Sequence, residues 1–123
     1  MGSASGRGRT HVFLATVVLQ ELWAGARAAD QRAYAERLYE TARAAGRLLN
    51  PPAAAWILSG QTLRILDGRR GLRGARLRAL RNDVLLAATA FVYGVAVMTE
   101  DRRDFARIAE VLPVRVVGPN PSS

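Results

Sequence analysis

Apolar residues along the chain form short runs and longer periodic segments that alternate. Residues 11–16 and 95–98 are short apolar runs, which are typical of buried strands. Helical spacing of apolar side chains predicts helices over residues 17–26 and from Asp30, as N-cap, to about residue 45. Residues 48–49 and 114–117 are predicted as further strands, and Pro51 and Pro52 begin another helix. This alternation predicts an α/β fold with parallel strands.

Large apolar side chains on the predicted helices are the core candidates. In the helix after Pro52 they are Trp56, Ile57, Leu63 and Leu66, and core burial is also expected for Trp23 and Tyr93. Asp83 opens the most apolar helix, and Gly94 can end it in the left-handed conformation. A strand follows at residues 95–98, and Asp104 is expected to cap a short helix after it.

The length and composition indicate one intracellular domain. We expect residues 1–10 to be a disordered lead, residues 11–118 the domain and residues 119–123 a flexible tail. The chain contains no apolar run near the roughly 20 residues that a membrane span requires, and residues 1–10 lack the apolar centre of a signal peptide. The sequence therefore predicts a cytoplasmic protein without a membrane partner.

The residue types restrict the chemistry that a metal site could use. There is no cysteine, and His11 is the one histidine. A thiolate zinc site and a histidine cluster are excluded. Any metal must be held by oxygen ligands.

The positive charge is concentrated before Asp83. The net charge of +8 is carried by arginine alone, and neutralisation of phosphates by such side chains favours nucleic acid binding. The arginine-rich segment contains Arg64, Arg69, Arg70, Arg73, Arg76, Arg78 and Arg81. If residues 72–80 are helical, Arg69, Arg73 and Arg76 share an outer face. This face is either a solvated surface, an RNA backbone site that includes Arg70, or a docking site for an acidic partner.

Acidic residues stand at the ends of the predicted elements. Asp83 begins a helix, and Asp101 follows the strand at residues 95–98, where ligand sites of open parallel sheets gather. Glu21 lies among apolar residues of the first predicted helix. Taken singly, Glu21 is better explained as a surface residue and Asp83 as a helix cap, and Asp101 is equally well explained as a turn residue.

Three segments in series resemble the acidic motifs of the PIN domain family. Residues 16–26 (TVVLQELWAGA) look like its second motif, residues 82–90 (NDVLLAATA) like its third, and residues 97–105 (VMTEDRRDF) like its fourth. The match extends from about residue 11 to residue 117. The resemblance implies a three-layer α/β/α fold around a mostly parallel sheet.

The resemblance also implies a function and a site. Many small PIN domains are metal-dependent ribonuclease toxins of type II toxin-antitoxin pairs, in the VapC-like group. By motif, Glu21, Asp83 and Asp101 correspond to catalytic ligands of Mg²⁺ or Mn²⁺, with Thr99 a supporting polar group and Asp104 a supporting or alternative ligand. RNA is the implied substrate, and a cognate antitoxin and a second copy in a homodimer are the implied partners.

One motif of the family has no counterpart here. Nothing before His11 resembles the family's first strand with its Asp, so the domain is expected to be truncated at its N-terminus. A start codon assigned too late, a degraded toxin gene, and a short variant that completes its sheet by dimerisation or strand exchange all remain open. Three functions are also open: an active ribonuclease, an inactive remnant that binds RNA or an antitoxin, and a structural α/β module with a basic surface.

Overall fold

The computed structural model describes residues 12–69 and 74–118. Its strands are β1 (Leu14–Ala15), β2 (Leu48–Leu49), β3 (Val97–Met98) and β4 (Val116–Val117). Its helices are α1 (Thr16–Ala24), α2 (Ala29–Ala44), α3 (Ala53–Asp67), α4 (Ala75–Ala79), α5 (Arg81–Tyr93) and α6 (Arg102–Ala109). The predicted α/β class is therefore confirmed.

The strands pair in parallel, as the sequence predicts, but they form two separate pairs. β1 lies beside β2 with Leu14 opposite Leu48, and β3 lies beside β4 with Val97 opposite Val116. Within the described residues no strand lies between β1 and β3, so the expected single sheet is divided into two halves.

The hydrophobic core is built around α5. Val84, Ala87 and Ala88 of this helix are fully buried, and Ala55 of α3 is buried in the same cluster. Alanine at these positions gives α3 and α5 short side chains where the two helices pack. Phe105 and Ile108 of α6 belong to the same core cluster. Packing in this core therefore fixes the position of the N-terminus of α5 relative to the N-terminus of α6.

The helix ends differ in part from the sequence prediction. Gly94 ends α5 with a φ of 74°, in the left-handed region, as predicted. Asp30 is not the N-cap of α2, because the N-cap is Ala28, two residues earlier, and Asp30 lies in the first turn of the helix. Asp104 does not cap α6 either. Asp101 is the N-cap, and its Oδ1 accepts a hydrogen bond from the Asp104 N–H at 3.5 Å.

Several predicted core residues are exposed. Trp56 and Ile57 retain 59% and 63% of their surface, and Trp23 and Tyr93 retain 44% and 46%. Leu66 is buried, as predicted. The face that α3 buries is formed by Ala55, Ser59, Thr62 and Leu66, with helical spacing. Trp56 and Ile57 follow Ala55 by one and two residues, which turns them away from that face.

Some sequence predictions fall outside the described residues. The lead at residues 1–10, the tail at residues 119–123, and Arg70 and Arg73 belong to this group. No helix in the described ranges is both long and apolar enough to cross a bilayer.

Candidate functional site

Three carboxylates converge where α5 and α6 begin. Asp83 lies in the first turn of α5, Asp101 caps α6, and Asp104 lies in the first turn of α6. Each offers one oxygen, and these three oxygens all lie within 4.8 Å of one another. Asp83 and Asp104 are half-buried, whereas Asp101 is exposed. We call these three residues the aspartate cluster.

The turn between β3 and α6 is held by local hydrogen bonds. Thr99 Oγ1 accepts a hydrogen bond from the Asp101 N–H at 3.0 Å. Asp101 Oδ1 accepts in turn from the Asp104 N–H. Thr99 therefore fixes the backbone of Asp101, and Asp101 ties its own side chain to the start of α6.

Asp83 has an unusual ionisation. Burial is the largest cause that raises its pKa, and together with the negative charges of Glu21, Asp101 and Asp104 it brings the pKa from 3.8 to about 6. No described arginine forms an ion pair with any member of the cluster. The cluster is therefore a concentration of negative charge without a cationic protein partner in the described chain.

Glu21 lies at the edge of the cluster. It is exposed on α1, and its carboxylate is not among the oxygens that lie within 4.8 Å of one another. Its charge nevertheless acts on Asp83, and its Oε2 accepts a hydrogen bond from Asn82 Nδ2 at 3.2 Å. The structure thus brings Asp83, Asp101 and Asp104 together directly and holds Glu21 beside them through Asn82.

Asn82 is the residue whose contact the sequence did not reveal. Its side chain joins α1 to α5 across 61 residues of sequence. In the sequence, only its position beside Asp83 suggested that Asn82 belongs to the site. That position does not predict a hydrogen bond to Glu21, which is distant in the sequence.

The donor set suits a hard divalent cation. Carboxylate oxygens are the ligands that Mg²⁺ and Mn²⁺ prefer, and a bound cation would offset both the burial and the neighbouring negative charges that raise the pKa of Asp83. Asp83, Asp101 and Asp104 are therefore the described residues that fit a metal ion best.

A groove of about 730 Å³ has Asn82, the residue before Asp83, in its lining. Its lining includes Gln20 of α1, Trp56 of α3, Arg78 of α4, and Arg81 and Asn82 of α5. We call it the basic groove. Of the arginines singled out from the sequence, Arg69 and Arg76 are exposed, but neither lines this groove.

Comparison with protein families decides the classification. A family model described as PIN domain matches residues 4–111. The chain belongs to the PIN domain family. The resemblance inferred from the three motifs is thereby confirmed, and the match covers each member of the aspartate cluster and Glu21. No curated protein matches the chain significantly.

Two solved structures with a similar fold are VapBC structures. DNA-bound VapBC from Salmonella typhimurium matches with a TM-score of 0.59 at 22% identity, over 85% of this chain and 72% of that one. VapBC2 from Rickettsia felis, bound to a promoter DNA fragment, matches with a TM-score of 0.64 at 17% identity, over 95% of this chain and 81% of that one. At these identities the likeness establishes a PIN fold shared with members of VapBC complexes.

Proposed function

We propose that this PIN domain protein is a metal-dependent endoribonuclease that hydrolyses phosphodiester bonds of RNA in the cytoplasm, as the toxin of a toxin-antitoxin pair. The observation that supports this most directly is the aspartate cluster, in which three carboxylate oxygens lie within 4.8 Å in a chain of the PIN family. A cation held there would offset the mutual repulsion of these carboxylates.

The cluster and Glu21 have separate roles in this proposal. Asp83 and Asp101 hold Mg²⁺ or Mn²⁺, with Asp104 as a supporting or further ligand. Glu21 acts as the remaining catalytic carboxylate, oriented by its hydrogen bond from Asn82. Thr99 positions Asp101 through the backbone. When bound, the ion would activate water, orient the phosphodiester and offset the charge of the transition state.

In this proposal, arginines that precede Asp83 in the sequence hold the RNA backbone. Arg69, Arg70, Arg73 and Arg76 are the candidates from the sequence, and the basic groove adds Arg78 and Arg81. Asn82, next to Asp83, and the exposed Trp56 both line this groove. An aromatic ring beside arginines suits single-stranded RNA, whose bases are free to stack.

An antitoxin protein is the proposed regulatory partner. The PIN-fold neighbours are members of VapBC complexes, which supports a partner of that kind. A homodimer is the proposed assembly, and exposed apolar side chains such as Trp23 and Tyr93 are available to it.

Cleavage of RNA by the purified chain tests the proposal. We expect cleavage of single-stranded RNA in Mg²⁺ or Mn²⁺ and none in EDTA. Asp83→Asn should lose at least about 100-fold in activity, because substitution of residues that merely support a metal ligand already costs about 10- to 100-fold. Asp67→Asn is the matched control, since Asp67 is an exposed acid outside the cluster. Its activity should equal that of the wild type.

The opposite outcome has a definite meaning. If the folded protein binds RNA but leaves it intact in both metals, the ribonuclease proposal is wrong. The protein would then be an inactive PIN domain that binds RNA or an antitoxin without cleavage.

A further inference from the structure

The interior of α3 contains a glycine that the helix itself does not require. Gly60 lies midway along α3, where glycine is among the least favourable residues because it loses more conformational freedom than any other on folding. Its backbone is helical and its φ is not positive, so any residue could adopt this conformation. Local backbone geometry therefore does not account for the glycine.

Packing does not account for Gly60 either. Apart from the adjacent backbone of α3, no described heavy atom would lie within 4 Å of a Cβ atom at this position. Gly60 is exposed, and no neighbouring element approaches α3 closely enough there to exclude a side chain. The missing side chain leaves an open space on the surface of the helix.

This open space lies in the basic groove, beside Trp56. Gly60 lines the groove together with Trp56 and Leu63, and spacings of four and three residues place all three on one face of α3. Helical side chains lean towards the N-terminus, so a side chain at position 60 would lie against the Trp56 ring. Glycine leaves that side of the exposed ring uncovered.

The same groove offers positive charge without a counter-charge. Arg78 of α4 and Arg81 of α5 line it, and the described lining contains no aspartate or glutamate. Neither arginine forms an ion pair with a described residue. Guanidinium groups bind phosphate through paired hydrogen bonds. An open aromatic ring for a base and two cations for phosphates are the groups by which proteins hold a nucleotide.

Other ligand classes use only part of this arrangement. A phosphate ion would engage the arginines and leave the Trp56 ring exposed, whereas an apolar or aromatic side chain of a protein would cover the ring and leave both arginines without an anion. A nucleotide of a single strand engages both, since its base is free to stack. Asn82, in the same lining, directly precedes Asp83 of the aspartate cluster, so the groove and the candidate metal site share the first turn of α5.

We propose that Gly60 and Trp56 form a seat for one unpaired base of single-stranded RNA. The base stacks on the side of the Trp56 ring that Gly60 leaves open, and Arg78 and Arg81 hold adjacent phosphates. We call this arrangement the base seat. It rests on the proposed function for the identity of its ligand, but it does not depend on cleavage. A larger residue at position 60 would stabilise the helix and occupy the place of the base.

Binding of two oligomers to a filled seat tests the proposal. Gly60→Leu fills the space, and Gln61→Leu is the matched control, because Gln61 is the next residue of α3, is exposed and lies outside the lining. The ligands are oligouridine and an abasic ribose-phosphate oligomer of the same length, both in EDTA. We expect the wild type to bind oligouridine at least about fivefold more tightly than the abasic oligomer, because a stacked base adds to affinity. Gly60→Leu should lose most of this preference by weakening oligouridine alone, and Gln61→Leu should keep it.

Gly60→Ala separates binding from folding. Because a Cβ atom at this position has room and alanine favours the helix, this variant should raise the midpoint of thermal unfolding by a few degrees. It should weaken oligouridine binding less than Gly60→Leu does, since a methyl group fills less of the space. Weaker binding by a more stable protein cannot be attributed to misfolding.

The opposite results are equally clear. Equal affinity of the wild type for the two oligomers would overturn the base seat, as would an equal loss for both oligomers in Gly60→Leu or absence of oligouridine binding to the wild type. The cleavage assay is decided separately. Cleavage without any preference for oligouridine contradicts the base seat alone, whereas the expected binding pattern without cleavage contradicts the ribonuclease proposal alone.

Discussion

At the scale of single residues, Asp83 shows a conflict between stability and the proposed function. Its carboxylate is held half-buried among three other acids, and its pKa of about 6 records the cost of ionising it there. A residue selected for stability alone would be neutral at this position. The conflict is expected of a side chain that is positioned to hold a cation.

The raised pKa predicts how stability depends on pH in the absence of metal. Between the ordinary pKa of 3.8 and the folded value of about 6, the folded protein holds more protons at Asp83 than the unfolded chain does. The contribution of Asp83 to the free energy of unfolding therefore falls as the pH rises through this window. With allowance for the solvent screening of a half-exposed group, Asp83→Asn should be more stable than the wild type by about 1 kcal/mol at pH 7.

Urea denaturation in EDTA at pH 4 and pH 7 measures this difference. The advantage of the variant should be small at pH 4, where Asp83 is protonated in the folded state. Addition of Mg²⁺ at pH 7 should stabilise the wild type and not Asp83→Asn, since only the wild type gains a ligand. A variant that is less stable than the wild type at pH 7 in EDTA would contradict this account of Asp83.

At the scale of elements, the N-cap residue of α6 is also a candidate metal ligand. Asp101 caps the helix through its hydrogen bond from the Asp104 N–H, and it also belongs to the aspartate cluster. The position of this cap fixes where α6 starts. The same residue therefore carries a local folding role and a proposed metal role.

Two substitutions at Asp101 separate these roles. Asparagine caps helices about as well as aspartate does, whereas alanine does not, at a cost of about 0.5–1 kcal/mol. We expect Asp101→Asn to keep the metal-free stability and Asp101→Ala to lose about that amount, while both lose Mg²⁺-dependent stabilisation. Thermal unfolding with and without Mg²⁺ measures both effects. Equal metal-free stability of the two variants would show that the hydrogen bond at 3.5 Å contributes nothing.

The elements themselves were largely predictable, because their signals are local. The left-handed Gly94 and the apolar run after Asp83 lie within a few residues of the structure that they determine. The buried face of α3 was not predictable from hydrophobicity, since the helix buries Ser59 and Thr62 and exposes Trp56 and Ile57. Which face is buried depends on α5, which is distant in the sequence.

At the scale of the whole molecule, the candidate site also has parts that local sequence signals predicted and parts that depend on contacts between distant segments. Asp83, Asp101 and Asp104 were found from short motifs, and the fold brings their oxygens together because α5 and α6 pack in one core. The hydrogen bond between Asn82 and Glu21 and the basic groove arise where distant segments meet. A sequence motif does not show which distant segments come into contact, so these features could be identified only from the folded structure.

The basic groove yields a last prediction, about how the molecule holds single-stranded RNA. Stacking of a base on an exposed aromatic ring is worth about 1–3 kcal/mol, and each arginine that neutralises a phosphate adds about 0.7 to the slope of log affinity against log salt. Trp56→Ala should therefore weaken binding of oligouridine in EDTA about tenfold with an unchanged salt slope. The double variant Arg78→Ala and Arg81→Ala should lower the slope by about 1.4.

Trp23→Ala is the control for stacking, because Trp23 is also exposed, at 44%, but lines a different pocket beside Glu36 and Glu40. Fluorescence of a Trp23→Phe protein, in which Trp56 is the remaining tryptophan, reports directly on contact with the base. Quenching on titration with oligouridine, together with full affinity of Trp23→Ala, is the result that the groove predicts. If Trp23→Ala and Trp56→Ala weaken binding equally, the RNA does not follow the basic groove, and the exposed arginines Arg69 and Arg76 become the better candidates for the backbone site.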